Sequence, residues 1–298
     1  MTVHSPLIVG EVLYDVFPDQ QKILGGAPFN VAWHLQALGL QPVLFSRIGD
    51  DSNGRNILHA MQCWHLDTGF IQQDNQLPTG TVDISQHPDG SHSFNINDHQ
   101  AWDNLAWDDQ LSGLNSNNTC WLYHGSLALR HKNNNSIIDR LRKQGLPVFL
   151  DINLRNPWWS HDQIKHLMRQ ADWIKLNDEE TALLTGCDLH APDWRSIIPQ
   201  LHQEYSLQGL IVTCGAAGAW LFDGKQLIFE APPALDHLRD TVGAGDAFTA
   251  ICLLGLSKQW PLKTILHRAL MFAADVCQIQ GATSSEPDFY QKTLNQWQ

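Results

Sequence analysis

Short apolar runs rich in branched residues alternate with helical repeats along most of this chain, and that alternation restricts the fold more than any other feature. PLIVGEVL reads as a buried strand ending near Gly10 and Glu11. GGAPFNVAWHLQALG follows, with Val31, Leu35 and Leu38 at helical spacing and Gly39 as the stop. PVLFSRIG predicts a second strand and GRNILHAMQCW a second helix. From residue 119 the pattern resumes through TCWLYHG, NNNSIIDRLRKQG, LPVFLDIN, HDQIKHLMRQ, ADWIKLN and LQGLIVTCG. Two long apolar helical stretches come after residue 245. Strands interleaved with helices predict an α/β fold with a mostly parallel central sheet, covered by helices on both faces. Ligands of such sheets bind beyond the carboxyl ends of the strands.

TVDISQHPDGSHSFNI stands apart from this pattern. Its residues alternate around a PDG turn, so it reads as an antiparallel hairpin of a small accessory sheet. AWLFDGKQLIFE carries a similar DG turn. No repeat, low-complexity tract or linker divides the 298 residues, which fit a single large domain.

Composition removes several classes of function. The net charge of -12, with no basic run, argues against nucleic-acid binding. MTVHSPLIVGEVL has no positive leader, and Glu11 interrupts an apolar stretch too short for a signal or a membrane span, so a cytoplasmic protein is expected. The six cysteines form no CxxC pair and read as scattered core residues. Among the fifteen histidines none pair as HxxxH; His161 and His166 are five apart, off one helical face. The twelve tryptophans read as packing residues.

The chemistry concentrates in glycine-rich and acidic junctions. In DTVGAGDAF, residues 240 to 248, Gly243, Ala244 and Gly245 open a helix whose backbone N–H groups make an anion site. Asp246 beside that anion suggests a proton acceptor in phosphoryl transfer, although a capped glycine turn would look the same. There is no GxxxxGK[ST], and no GxGxxG follows the first strand. In GGAPFN, Gly25 and Gly26 admit a ligand to the backbone, and Asn30 offers a donor and an acceptor for hydroxyls. Asp15, read as lying just past the first strand, suits either a grip on two sugar hydroxyls or the commoner exposed turn. In DINLR, period-two spacing sets Asp151, Asn153 and Arg155 on one side of an extended segment. In KLNDEE, Asn177 and Glu180 sit one helical turn apart, an oxygen pair suited to hydrated magnesium or to an acidic helix start.

Taken in order, GGAPFNVAWHLQALG with SRIGDDSNG, DINLR, KLNDEE, VTCGAAG and DTVGAGDAF resemble the ribokinase (phosphofructokinase-B type) family of carbohydrate kinases over nearly the whole chain. The resemblance implies a ribokinase-like three-layer sandwich with a small β-sheet lid, here about residues 12–24 and 79–98. It implies ATP and magnesium (Mg2+) as cofactors and Asp246 as the base that activates a sugar hydroxyl. The N–H groups of Val242 to Gly245 become the hole for the transferring phosphoryl group. Asn177 and Glu180 match the motif that organises magnesium through water; Thr213, Gly215 and Gly218 match the nucleotide loop. Asp15, Gly25, Gly26, Asn30, Asn153 and Arg155 fall at sugar positions. Many members bind a monovalent cation such as potassium (K+), for which Asp240, Val242, Gly281 and Ser285 are the candidates here.

GGAP before an NVA helix start, the YHGSLAL strand end and DINLRNPWW look most like the fructokinase branch. Phe29 departs from it by adding bulk beside the sugar site or the core. Kinases of 2-keto-3-deoxygluconate, ribose or a nucleoside are the alternatives, with an inactive sugar or nucleotide sensor as the other class. The expected partners are small molecules, sugar and ATP, with neither nucleic acid nor membrane, and a homodimer through the lid is compatible with the family.

Overall fold

The computed structural model describes residues 5–86, 92–114, 119–235 and 237–297. The first half comprises β1 (Ser5–Val9), β2 (Leu13–Val16), β3 (Lys22–Gly25), α1 (Ala27–Ala37), β4 (Val43–Gly49), α2 (Ser52–Cys63), β5 (Ile71–Asp74), β6 (Gly80–Gln86), β7 (His92–Ile96), β8 (Thr119–Gly125) and α3 (Lys132–Arg142). The second comprises β9 (Val148–Asp151), α4 (His161–Met168), β10 (Trp173–Asn177), α5 (Asp178–Thr185), α6 (Ile197–Glu204), β11 (Gly209–Thr213), β12 (Ala219–Phe222), β13 (Leu227–Glu230), α7 (Ala244–Ser257), α8 (Leu262–Val276) and α9 (Pro287–Gln296).

Nine strands form the main sheet in the order β13-β12-β11-β10-β9-β8-β1-β4-β5. Every pair from β11 to β5 is parallel, and the β12–β13 hairpin closes one edge antiparallel. Its Asp223 side chain accepts from the N–H groups of Lys225 and Gln226, the local reason that DG turns the chain.

Side-chain alternation along each strand feeds two cores. In β1, Ile8 joins Phe29, Leu35 and the apolar faces of α7 and α8, whereas Leu7 and Val9 join α3, α4 and α6 on the opposite face. All three are fully buried, each contributing roughly 1.5–3 kcal/mol by leaving water. Helix, sheet and helix therefore make three layers. Phe29 is core, 1% exposed and 5.4 Å from the Trp33 ring, so its bulk stays out of the cleft.

A second sheet has the order β3-β2-β6-β7. The β6–β7 pairing is antiparallel, as the alternation requires; the PDG turn itself lies outside the described residues. One expectation needs correction. PLIVGEVL is two elements, because at Gly10 the backbone takes φ +148° and even a Cβ there would lie 2.6 Å from Pro28. The chain turns away, and Asp15 sits within β2 of the small sheet instead of at the end of β1.

The small sheet is fastened to the main body by Arg130. Its guanidinium makes two 2.6 Å bonds to Asp103, donates to the Asn97 carbonyl just past β7, and lies 4.2 Å and 4.3 Å from the ring centres of Trp102 and Trp158. Both partners of the ion pair are almost wholly enclosed, with side chains 0% and 5% exposed. Removing one partner strands a buried charge, so Asp103→Ala is expected to cost about 3–5 kcal/mol, read as a lower urea midpoint.

Candidate active site

The N-terminus of α7 meets the cleft between the two sheets. Gly243 caps it at φ +79°, and a Cβ there would lie 2.4 Å from Ala282. Only glycine satisfies both demands. The anion hole is narrower than expected: the Val242 N–H donates to Asp240 Oδ1 at 3.0 Å, and that of Ala244 reaches the Thr241 carbonyl at 3.3 Å. The N–H groups of Gly243 and Gly245 remain at the positive end of the helix dipole.

One turn into α7, Asp246 accepts a 2.8 Å bond from Asn30 Nδ2. That bond joins residues 216 apart in sequence and ties the first turn of α1 to the first turn of α7. Protein surrounds the Asp246 carboxyl on most sides, and burial is the main reason its pKa is pushed up to about 6. The nearby Asp151 charge adds to the rise, while the Asn30 bond, Lys175 and Arg155 oppose it.

Asp15 faces the same space from β2. A Cβ on Gly25 would be 3.7 Å from Asp15 Oδ2 and 4.0 Å from Asn30 Oδ1, so the bare glycine leaves room between the two. Burial raises Asp15 to about 6, and the charge of Arg155 works against it. Arg155 is exposed, and its charge also works against the raised pKa values of Glu11 and Asp246.

The structure adds Glu11 and Tyr123, neither of which carries a motif. Glu11 is 4% exposed, its Oε2 has no partner, and burial lifts its pKa to about 7. Gly26, at φ +106°, makes way for it: a Cβ there would sit 2.7 Å from the Glu11 carbonyl oxygen. The Tyr123 hydroxyl and Asn30 Oδ1 are also buried without partners, and Tyr123 is pushed up by burial and by the charges of Asp151, Asp246 and Glu11. Three orphaned polar atoms around the cleft mark a place for hydroxyl groups. An acid interrupting an apolar strand was the only signal for Glu11.

Beneath the first turn of α7 lies a buried ion pair. Lys175 Nζ donates to both oxygens of Asp151 at 3.0 Å and 2.8 Å, and the single Thr249 hydroxyl proton is shared between Asp151 Oδ2 and the Gly245 carbonyl, each 2.9 Å from Oγ1. This corrects the extended reading of DINLR. The strand ends at Asp151, which points inward; Asn153 adopts φ +39° and Arg155 lies at the surface. The backbone bends because the Ile152 N–H goes to the Lys175 carbonyl while that of Leu154 goes to Glu180 Oε1 at 2.7 Å.

Asn177 and Glu180 close a reciprocal capping box at the start of α5, with bonds of 2.7 Å and 2.9 Å. Both Glu180 oxygens thus already accept a backbone N–H, and each keeps one lone pair. That donor set fits waters around a cation better than the bare ion.

A cavity of about 870 Å³ extends from Gly245 and Asn177 past Thr213, Gly215 and Gly218 to an apolar end at Leu238 and Leu270. Beside it, Asp240 draws two loops together, accepting from the N–H groups of Val242 and Gly281. Ser285 lies exposed farther along, on the approach to α9.

The profile of the pfkB family carbohydrate kinases matches residues 9–288. The chain belongs to that family. It is 30% identical over 264 residues to a fructokinase of Klebsiella pneumoniae, covering 84% of this chain and 83% of the relative. An aminoimidazole riboside kinase of Salmonella typhimurium is 28% identical, with 84% and 80% covered. The crystal structure of Vibrio cholerae fructokinase with fructose, ADP and calcium superposes with a TM-score of 0.79 at 25% identity, over 98% of this chain and 99% of the other. The ribokinase-like fold and the carbohydrate kinase class both follow. No helix among the described residues is long and apolar enough to cross a membrane.

The folded pKa of Glu11 lies above its unfolded value, so the folded chain holds the extra proton between about pH 4.5 and 7. Stability from this group is present at the acid end of that window and lost as pH rises through it. Thermal midpoints should therefore show Glu11→Gln more stable than wild type at about pH 8, with the gap shrinking toward about pH 5.

Proposed function

We propose that this carbohydrate kinase transfers the γ-phosphoryl group of ATP to a primary hydroxyl of a sugar, with fructose as the acceptor and fructose 6-phosphate as the product. The observation that carries the reading is the Asn30–Asp246 bond, because it sets one carboxylate at the boundary between a polar cleft and a helix N-terminus. The likeness to fructokinases of Klebsiella pneumoniae, Salmonella typhimurium and Escherichia coli supports the choice of sugar.

In this reading Asp15, Asn30 and Arg155 grip the sugar, with Asn153 beside them and Gly25 and Gly26 leaving it space. The 870 Å³ cavity takes the nucleotide, its base among Leu238 and Leu270 and its phosphates toward Gly245. Thr213, Gly215 and Gly218 lie along that path. As the hydroxyl oxygen bonds to the γ-phosphorus and the bond to ADP breaks, Asp246 takes the hydroxyl proton. A pKa of about 6 suits a general base here, because the group is ionised near neutrality yet basic enough to hold the proton as the reaction proceeds. The N–H groups of Gly243 and Gly245, with Ala244 between them, hold the charge that builds on the phosphoryl oxygens. Magnesium neutralises phosphate charge when bound, and Asn177 and Glu180 would hold its waters. Asp240, Val242 and Gly281, with Ser285, would shape a monovalent-cation loop behind the helix end.

The small sheet acts as a lid, since it carries Asp15 and roofs the cleft; closing it keeps water from the phosphoryl group.

ADP release with ATP, magnesium and potassium, over a panel of fructose, ribose, 2-keto-3-deoxygluconate, aminoimidazole riboside and adenosine, tests the reading. Fructose should give the highest kcat/KM, and Asp246→Asn should lower kcat by at least about a hundredfold with nucleotide binding retained. Preference for another member would move the acceptor, and an active Asp246→Asn chain would remove the base. In wild type, kcat/KM should fall about tenfold per pH unit below about pH 6 as Asp246 takes up its proton.

A further inference from the structure

The connection leaving β7 returns to the body beside the first turn of α3, and there three ligating side chains meet. Asp98 Oδ1 lies 2.7 Å from His131 Nε2, and Asp98 Oδ2 lies 3.6 Å from His99 Nε2. The two imidazoles stand nearly parallel, 5.5 Å between centres and 23° between planes, with their Nε2 atoms on the same carboxylate. One ligand atom from each residue lies within 4.8 Å of the others, the one such group of three or more among the described residues.

The geometry points to a transition-metal site, of the zinc or nickel class, built from Asp98, His99 and His131. Two imidazole nitrogens and one carboxylate oxygen are the donors such ions prefer, and side-chain rotation that opens the 2.7 Å Asp98–His131 contact would bring them around one ion. The side chains of His99, Asp98 and His131 are 78%, 41% and 30% exposed, which leaves a coordination position for water.

The support beneath the site is unusually firm for a surface cluster. His131 directly follows Arg130, and Asp98 directly follows Asn97, whose carbonyl accepts from Arg130. The buried Arg130–Asp103 pair therefore fixes the backbone on both sides of the cluster. Asp103 also reaches outward, its Oδ1 lying 3.8 Å from His131 Nε2. Preformed ligand positions lower the ordering cost of binding an ion. His99 is held at φ +52°, turned toward His131.

Location gives the site its consequence. Asp98 and His99 lie where the small sheet ends, and His131 belongs to the body, so a bound ion ties one to the other. If that sheet is the lid proposed above, an occupied site slows its opening. Binding of the ion does not depend on that reading, and neither does the test.

Titration of the full chain with zinc alone, without nucleotide or sugar, is followed by calorimetry. A Cys63→Ser background removes a thiol–imidazole pair on α2 that could compete for zinc, since Cys63 Sγ lies 3.7 Å from His59 Nε2. One equivalent of zinc should bind, and His131→Ala and His99→Ala should each weaken it at least about tenfold, since even outer-shell changes cost that much. His166→Ala, an exposed histidine on α4, should bind as the background does. Cobalt in place of zinc should give visible absorption that disappears in His131→Ala. Absence of saturable binding overturns the proposal, as does equal affinity in all the variants. Either result leaves the sugar assay untouched.

Discussion

The site rests on one buried ion pair, Lys175 with Asp151. Asp151 ends β9, Lys175 is its register partner on the adjacent parallel strand β10, and the pair sits directly below the first turn of α7. Thr249 completes the junction by bonding to Asp151 and back to the Gly245 carbonyl. A cationic nitrogen thereby comes within 3.6 Å of where a Cβ on Gly245 would lie, so the anion-binding end of the helix has positive charge beneath it as well as its own dipole. Loss of either partner would leave a stranded charge worth about 3–5 kcal/mol. The inward turn of Asp151 satisfies that pair, and the bend of DINLR beyond it brings the Leu154 N–H to Glu180.

Around this fixed point the protein gathers carboxyls that it does not neutralise. Glu11, Asp15 and Asp246 all have raised pKa values, first because burial strips them of water. A fold selected for stability alone would replace such groups by apolar ones. Their retention, with partnerless oxygens on Glu11, Asn30 and Tyr123, marks a cavity arranged for polar ligands that bring their own hydroxyls. By contrast Asp74 has its carboxyl held below the usual range: burial works against ionisation, but the N–H groups of Leu77 and Gln76, Asn104 and Arg47 outweigh it. That carboxylate is structural, and the difference lies in how many donors surround each oxygen.

The second sheet depends on a similar economy at its root. Arg130 serves Asp103 and the carbonyl of Asn97 while two tryptophans cover its faces. Trp102 and Trp158 are thus packing residues, as the composition implied, but packing against a cation. His131 and His99 sit beside it, where the small sheet meets the body.

Much of this was legible in the sequence. Alternating strand and helix patterns determine a parallel sheet in three layers, because backbone hydrogen bonds and apolar faces leave few other arrangements. Glycine at 243, 25 and 26 and acid at 246 determine a close-approach site, since each residue type is needed by local geometry. Tertiary structure alone decided which oxygens are spent. It turned Asp151 to Lys175, brought the Leu154 N–H to Glu180 and the Gly281 N–H to Asp240, and moved Asp15 onto the small sheet. It also brought His131 to His99, which no spacing rule could pair, because contacts between side chains 32 residues apart depend on how the chain returns, and only the packed fold fixes that.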